Sequence, residues 1–196
     1  IISKAQGVYF WDENGKKYLD FSSQLVNINL GHSHPKLQKA VIKQLKTLDY
    51  AAPSFVSEPK VQLAKQIIEL TGLGKVLFTT GGGEANENGI MIARQVSGKD
   101  IILSRNPSYH GATYGARTAS RDETRKLPSK FDAPSFQYFS APICSKKDKS
   151  HERCCSKSLR ELEQLTQKFK GKVAAVIIEP IPGAQGVLIP SREYLP

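Results

Sequence analysis

The chain has 196 residues, enough for one sizeable hydrophobic core. Its hydrophobic fraction of 39% and charged fraction of 23% are ordinary for a globular protein, and no apolar run reaches the length of about eighteen residues that spans a membrane. The formal net charge is +10. Nucleic-acid binding would explain this charge, but so does a Lys-rich solvated surface, and no binding motif accompanies it. We therefore expect no nucleic-acid partner and no membrane partner.

The three cysteines fit neither a disulfide framework nor a zinc site. Their number is odd, and Cys154 and Cys155 are adjacent while Cys144 lies apart. This pattern favours reduced thiols in an intracellular protein, so we expect a cytoplasmic location. No secretory signal opens the chain, but the absent initiator Met leaves an organellar targeting segment upstream as an open alternative.

The first third of the chain carries turn and helix signals. Asn14-Gly15 between aromatic flanks predicts a β-hairpin within residues 7–22. Apolar residues at helical spacing then predict one helix that begins at Pro35 and a second over residues 58–70.

From residue 75 onward, short apolar segments alternate with helical patterns. Strands are predicted over 75–79, 100–104 and 173–178, and helices over 84–96 and 159–169. Apolar strands that alternate with helices indicate an α/β fold whose parallel sheet is covered on both faces. Residues 120–156 are polar and rich in Pro or Ser, so we expect a long surface excursion there.

Three consecutive glycines, Gly81, Gly82 and Gly83, stand between a predicted strand and a predicted helix. A helix N-terminus with adjacent glycines binds anions, because unpaired backbone N–H groups and the helix dipole point at the ligand. The hydroxyls of Thr79 and Thr80 are candidate additional donors. A tight turn that merely closes a βα unit remains the alternative, since the motif is neither a P-loop nor a dinucleotide fingerprint.

Longer stretches carry a family resemblance. Residues 78–94, which include Gly-Gly-Gly-Glu-Ala-Asn-Glu, residues 107–116 around Tyr-His-Gly, and residues 176–190 around Glu-Pro resemble segments of class III aminotransferases. The opening hairpin and the Gly-His-Ser-His-Pro element ending at Pro35 also resemble that family. The resemblance spans nearly the whole chain and about half of a family member. It implies a fold type I enzyme that uses pyridoxal 5'-phosphate (PLP).

The resemblance also implies roles for five residues around the cofactor. Backbone N–H groups of Gly82 and Gly83 would bind the PLP phosphate. Tyr109 would stack on the pyridine ring, with His110 beside it. Glu179 would belong to the hydrogen-bond network around the ring. Without the family match, the segment around Tyr109 would read as an aromatic core pair before a bend, and Glu179 as a charged residue at a strand end.

Substrate preferences are implied less directly. Leu25 would form part of the substrate pocket wall. Relatives that use 2-oxoglutarate often carry Glu five residues after the residue that matches Glu179, where this chain has Ala184. The resemblance is therefore to pyruvate-using ω-aminotransferases, which transfer an amino group from an amine or ω-amino acid. His32 and His34 are expected to be structural, because a lone pair of histidines is a weak metal signal.

In the family, the Schiff-base Lys and the pyridine-binding Asp follow the Glu-Pro segment, beyond Pro196. We therefore expect no catalytic residue within the chain, and we expect an inactive N-terminal fragment of a homodimeric enzyme. Residues 1–48 would belong to the small domain and residues 49–196 to the PLP-binding large domain. A short non-catalytic protein that binds PLP or a partner is one alternative, and a basic nucleic-acid-binding protein is another.

Overall fold

The computed structural model describes residues 1–121, 128–142 and 151–195, except for the side chains of residues 151 and 152. The chain divides into two compact units, Ile1–Val76 and Leu77–Pro196. The expected boundary between residues 48 and 49 stays a prediction about domain membership. Within the described ranges, no helix combines the length and the apolar character that crossing a membrane requires.

The first unit opens with a three-stranded antiparallel sheet in the order β1-β2-β3. Its strands are β1 (Ile2–Gln6), β2 (Tyr9–Asp12) and β3 (Lys17–Leu19). The Asp12 carboxylate accepts the backbone N–H groups of Asn14 and Lys16, and Gly15 adopts the positive φ of 81° that the turn requires. The predicted hairpin is therefore confirmed, and β1 adds a third strand to it.

Three helical segments follow, namely α1 (Ser23–Val26), α2 (Pro35–Thr47) and α3 (Glu58–Thr71). The two longer ones confirm the predicted helices. His34 caps α2, because its Nδ1 accepts the N–H of Leu37 at 3.4 Å. The Nε2 atom of His32 lies 2.8 Å from Asp20 Oδ2, and this hydrogen bond chiefly holds the pKa of the Asp20 carboxyl well below its usual range. Both histidines therefore have structural contacts, as expected.

The second unit contains a three-stranded parallel sheet in the order β5-β4-β6. Its elements in chain order are α4 (Gly82–Ser97), β4 (Ile101–Asn106), α5 (Tyr114–Ser120), β5 (Phe136–Ser140), α6 (His151–Lys168) and β6 (Val173–Ile177). The parallel sheet and the α/β class are confirmed.

Helices cover both faces of this sheet. The side chains of β4 point alternately to one face and the other, so each face carries apolar residues that a helix buries. Ile102 packs in a cluster with Ile90 of α4 and Ala119 of α5. Ile101 and Leu103 belong to a second cluster, against which apolar residues of α6 pack. The middle strand is thus buried on both sides, as an apolar strand of a parallel sheet requires.

Two predictions about the chain from residue 75 onward were wrong. Residues 75–79 form no strand, because a strand exists only through pairing and this segment has no ladder partner in the described chain. Residues 120–156 are not simply a surface excursion, since they contain β5 and the start of α6. Phe136 and Phe139 of β5 are buried against α4 and α6 respectively, which makes this segment part of the core. Cys144 lies outside the described residues.

Candidate active site

The candidate site lies where β4 and β6 end. Tyr109 follows β4 and Glu179 follows β6, and parallel strands bring their carboxyl ends to one edge of the sheet. The backbone N–H of Tyr109 donates to Glu179 Oε2 at 2.7 Å. The Tyr109 side chain is 36% exposed, so its ring is accessible. The structure therefore brings together the two residues that the sequence places near one cofactor ring.

The glycine loop leads directly into α4. The first hydrogen bond of this helix runs from Ala85 N–H to the Gly81 carbonyl, so the N–H groups of Gly82 and Gly83 precede the helical ladder. Gly81, at the N-cap, has no side chain to cap them. A Cβ built on Gly82 meets nothing within 4 Å, which shows open space over this position. The loop thus presents donors at the positive end of a helix dipole.

The hydroxyls of Thr79 and Thr80 do not add donors to this loop, contrary to the sequence expectation. Thr79 Oγ1 donates to the Gly81 carbonyl at 3.1 Å. Thr80 donates to Glu84 Oε2 through its hydroxyl at 2.5 Å and through its N–H at 2.9 Å. These hydrogen bonds from Thr80 lower the pKa of the Glu84 carboxyl. Both threonines therefore fix the shape of the loop, and the backbone N–H groups remain its candidate anion donors.

The glycine loop and the Tyr-His-Gly segment approach each other closely. A Cβ on Gly111 would lie 2.7 Å from the Cα of Gly83, and Gly111 has a φ of +133° that side chains rarely adopt. A Cβ on Gly83 would in turn lie 3.3 Å from Thr113 Oγ1. Glycine is therefore required at residue 111 on two independent grounds, space and backbone conformation.

Two side chains of α4, Asn86 and Glu87, hold the Tyr-His-Gly segment in place. Asn86 Nδ2 donates to the carbonyl of His110 at 2.6 Å. Glu87 Oε1 accepts the N–H groups of Gly115 and Ala116 at 2.6 and 3.0 Å, at the start of α5. The sequence reasoning assigned neither role. Their only early signal was their place in the Glu-Ala-Asn-Glu string, since their partners lie more than twenty residues away.

His110 is a neutral imidazole at ordinary pH. Burial, and to a lesser degree the nearby positive charge of Arg105, lower the pKa of His110 from 6.5 to about 4. Its backbone N–H donates to Ser120 Oγ at 2.8 Å, whereas its buried Nε2 has no hydrogen-bond partner among the described residues. The Nε2 atom of His110, the residue after Tyr109, is therefore available for a further hydrogen bond.

Arg105 is a further residue that the sequence reasoning missed. This last-but-one residue of β4 has no exposed surface, and its Nη2 donates to the backbone carbonyl of Glu179. Glu179 is consequently held twice from β4, by its carbonyl at Arg105 and by its carboxylate at Tyr109. No sequence pattern marks this role, because a single Arg at a strand end looks like a residue that reaches solvent.

Leu25, the predicted wall of the substrate pocket, belongs to the first unit. It lies in α1, whose four residues all have positive φ, and 86% of its surface is exposed. Successive left-handed residues cost about 1–2 kcal/mol each. Its role in a substrate pocket stays a prediction. Across the described ranges, no cluster of three His, Cys, Asp or Glu side chains is placed to hold a metal ion.

Comparison with known proteins identifies the class to which this fold and site belong. The class-III aminotransferase family matches residues 1–196, so the chain belongs to that family. Among curated relatives, an acetylornithine aminotransferase of Methanocaldococcus jannaschii is 30% identical over 206 residues, covering 100% of this chain and 46% of the relative. An ornithine aminotransferase of Saccharomyces cerevisiae is 33% identical with the same two coverages. The chain thus spans about half the length of these relatives.

Solved structures agree with this assignment. A taurine:2-oxoglutarate aminotransferase of Bifidobacterium kashiwanohense, in complex with PLP and glutamate, has a TM-score of 0.89 and 38% identity. An ω-transaminase of Pseudomonas jessenii, in complex with PMP, has a TM-score of 0.91 and 29% identity. Each match covers 99% of this chain and 46% of the solved one. The predicted fold type I architecture is therefore confirmed, and class III aminotransferases use PLP.

The residues present fit the part of PLP that this half of the family fold would hold. Open space over Gly82 and uncapped N–H groups suit a phosphate. The accessible ring of Tyr109 suits a flat heterocycle, and the unpartnered Nε2 of His110 suits a neighbouring polar atom. The fit to PLP rests on these features taken together.

Proposed function

We propose that the protein is a PLP-dependent transaminase that transfers an amino group from an amine or ω-amino acid to a keto acid, with pyruvate as the acceptor. The observation that carries this proposal is the 2.7 Å hydrogen bond from Tyr109 N–H to Glu179 Oε2. This bond joins the Tyr-His-Gly and Glu-Pro segments at one edge of the sheet, where ligands of open α/β folds bind. Membership of the class III family supports the same activity.

Each residue in this proposal has a binding or positioning task. The backbone N–H groups of Gly82 and Gly83 bind the phosphate with the help of the dipole of α4. Tyr109 stacks on the ring and fixes its plane. Glu179 belongs to the hydrogen-bond network around the ring, and Arg105 and Tyr109 hold it at the end of β6. When bound, PLP supplies the electron sink that weakens bonds at the substrate's amino-bearing carbon.

His110 contributes as a neutral group. With its pKa lowered to about 4, the imidazole carries no charge at neutral pH, so it adds no second cation next to Arg105. A neutral imidazole offers one donor and one acceptor nitrogen. We therefore assign His110 to hydrogen bonding beside the cofactor rather than to proton transfer.

The acceptor preference rests on Ala184. This side chain is a methyl group in an exposed loop after Glu179 and offers no carboxylate to pair with an arginine. Residue 184 therefore cannot form the Glu–Arg ion pair that accompanies recognition of a dicarboxylate acceptor. This favours pyruvate, a monocarboxylate, as the amino acceptor. One observation favours 2-oxoglutarate as a second candidate. The 38% identical structure is named for that acceptor.

We also propose that residues 1–196 alone do not transaminate. Transamination by PLP needs a Lys and an acidic partner for the ring nitrogen. Lys172 directly precedes β6 and therefore lies at the edge of the sheet opposite Glu179. Lys75 belongs to the other compact unit and precedes the glycine loop. We therefore assign neither to catalysis, and we propose that the whole enzyme acts as a homodimer.

The test is an amino-transfer assay on the full-length protein loaded with PLP. A panel of amines and ω-amino acids is offered with pyruvate or with 2-oxoglutarate, and the alanine or glutamate formed is quantified. We expect alanine from the pyruvate reactions. Faster glutamate formation would select the second candidate, and transfer to neither acceptor would refute the transaminase. The 196-residue chain, assayed in parallel, is expected to form neither product.

A further inference from the structure

Arg105 is a charged side chain without exposed surface at the carboxyl end of β4. It stands four residues before Tyr109, and its Nη2 donates to the backbone carbonyl of Glu179 beyond β6. Burial of a charged group is costly unless the surrounding structure compensates for the lost water. An arginine does not lose its proton to escape this cost. A role of Arg105 in the candidate active site would explain why the chain buries a charge at this point.

The loop that follows β6 has few attachments to the sheet. Among the residues that the structure describes, residues 179–190 have two hydrogen bonds to the rest of the chain, and Glu179 accepts both. Its carbonyl accepts from Arg105, and its carboxylate accepts the N–H of Tyr109 at 2.7 Å. Pro180 and Pro182 have no N–H group that could add a further attachment. Arg105 is therefore one of the two residues that determine where Glu179 lies.

The guanidinium of Arg105 has contacts of its own that place it. It lies over the ring of Tyr194, 5.8 Å from the centroid, at a distance where a cation is attracted to an aromatic face. The Tyr194 hydroxyl is 2.7 Å from Ser158 Oγ, which donates to the carbonyl of Ser140 at 2.6 Å. The donor that reaches Glu179 is therefore supported by β4 itself and, through Tyr194, by α6 and β5.

The same cation also acts on the segment around Tyr109. After burial, which is the larger cause, the positive charge of Arg105 lowers the pKa of His110, the residue next to Tyr109. Arg105 thus influences the Glu-Pro segment through a hydrogen bond and the Tyr-His-Gly segment through its charge.

We propose that Arg105 is a positioning residue of the candidate active site and that it acts through Glu179, an inference that rests on the proposed transaminase function. Arg105 fixes the Glu179 carbonyl to β4, and the hydrogen bond to Tyr109 then fixes the Glu179 carboxylate and the Tyr109 backbone relative to each other. The Tyr109 ring that stacks on the cofactor is carried by this backbone. A misplacement of about 1 Å at a reacting site lowers activity by about a hundredfold. Removal of Arg105 should therefore weaken both cofactor binding and amino transfer.

The test is a double-mutant cycle in the full-length protein, with Arg105→Met, Glu179→Ala and the two combined. Fluorescence titration of each apoprotein gives the dissociation constant for PLP, and kcat/KM for amino transfer is measured on the loaded proteins. We expect Arg105→Met to raise the dissociation constant about tenfold, because the stacking partner is displaced, and to lower kcat/KM at least as much. In the Glu179→Ala background, Arg105→Met should change either quantity by less than about twofold, because no carboxylate remains to be placed.

A second substitution guards against a failure to fold. Replacement of a buried charge by an apolar side chain of similar volume is often neutral for folding, so Arg105→Met is expected to fold. Arg105→Lys keeps the charge and a donor and should show a smaller loss of PLP affinity than Arg105→Met. Arg105→Lys takes the place of Arg105→Met in the cycle if the latter does not fold.

The matched control is Arg94→Met. Arg94 also donates to backbone carbonyls, those of Asp100 at 2.9 Å and Pro134 at 3.1 Å, but these residues precede β4 and β5 and lie at the amino ends of the strands. Arg94→Met should lower stability in denaturant unfolding and leave PLP affinity and kcat/KM unchanged. A loss from Arg105→Met that is equally large with and without Glu179 would overturn the positioning role, and so would unchanged PLP affinity in Arg105→Met. Absence of transfer by the unsubstituted protein would refute the proposed function instead, because the cycle in PLP affinity would still decide the role of Arg105.

Discussion

Tyr109 and Glu179, which stand 70 residues apart in the chain, are joined by a 2.7 Å hydrogen bond from the backbone N–H of the first to the carboxylate of the second. The bond links the ends of β4 and β6, which are adjacent strands of the parallel sheet. The bond therefore fixes the Glu179 carboxylate and the Tyr109 backbone relative to each other.

Replacement of Glu179 tests this link. In the full-length protein, Glu179→Ala should lower the free energy of unfolding by about 1.5 kcal/mol, because a hydrogen bond to a charged acceptor is lost. Glu179→Gln keeps an acceptor oxygen and should cost less than Glu179→Ala. Denaturant unfolding measures both, with the exposed Glu163→Ala on α6 as the control, expected to be near neutral. Equal losses of stability in Glu179→Ala and Glu179→Gln would show that the hydrogen bond to Tyr109 does not contribute to stability.

Gly82→Ala tests the proposed phosphate-binding role of the glycine loop. The added Cβ meets no protein atom within 4 Å, so stability should not fall, but the methyl group would occupy space that a phosphate needs. We expect the dissociation constant for PLP to rise by at least about tenfold, which corresponds to about 1.4 kcal/mol.

The control for Gly82→Ala is Gly89→Ala, further along the same helix, where a Cβ also meets nothing within 4 Å. It should leave PLP affinity unchanged and stabilise α4 by about 0.5–1 kcal/mol, because alanine is the better helix former. Fluorescence titration of the full-length apoprotein with PLP provides the measurement. Unchanged affinity in Gly82→Ala would refute the phosphate-binding role of Gly82.

Gly111→Ala should be among the most destabilising single changes at the site. Its Cβ would lie 2.7 Å from the Cα of Gly83, and the backbone there has a φ of +133°. We expect a loss of about 3 kcal/mol in the free energy of unfolding from strain and overpacking together. Gly98 also has a positive φ, of +66°, but a Cβ added there meets no atom within 4 Å. Gly98→Ala should therefore lower the free energy of unfolding by only about 1 kcal/mol. Similar losses for the two variants in thermal or denaturant unfolding would argue against the close contact.

The lowered pKa of His110 predicts that the stability of the protein depends on pH. The native pKa of about 4 lies below the ordinary value of 6.5, so the unfolded chain binds a proton more readily than the native chain between these values. The contribution of His110 to stability should therefore fall as pH is lowered through this interval, and it should be constant above it. His110→Gln should show a weaker fall over the same interval in denaturant titrations. An identical pH profile for both proteins would mean that His110 protonates as freely in the native state as in the unfolded state.

Local features of the sequence predicted the local structure well. Asn14-Gly15 marked the hairpin, and apolar spacing marked α3, whose apolar residues Val61, Ala64, Ile67 and Ile68 are all half-buried. Features that depend on partners distant in the chain were not predictable in the same way. Residues 75–79 have the composition of a strand but no neighbour to pair with among the residues that the structure describes. Conversely, β5 lies between polar segments, and its two buried residues, Phe136 and Phe139, are three positions apart, so no alternating pattern marks the strand.

In the candidate site, too, local features were predictable from the sequence and contacts between distant segments were not. The glycine loop and Tyr109 were identifiable from motifs that are contiguous in the sequence. Asn86, Glu87 and Arg105 were not, because each acts on the backbone of a distant segment and any polar residue at a helix or strand end looks alike from the sequence. Thr80 was assigned to an anion because its hydroxyl could serve either a ligand or Glu84, and only the structure shows that it donates to Glu84.

The attachment of residues 110–116 to α4 has a consequence for dynamics. Asn86 and Glu87 bind three backbone groups of this segment, and Gly83 and Gly111 leave no gap between the two segments. Because α4 itself binds this segment, the segment should not move away from the helix while α4 stays folded. Amide hydrogens in the two segments should therefore exchange with solvent through one shared opening event, with a common free energy, rather than through independent fraying.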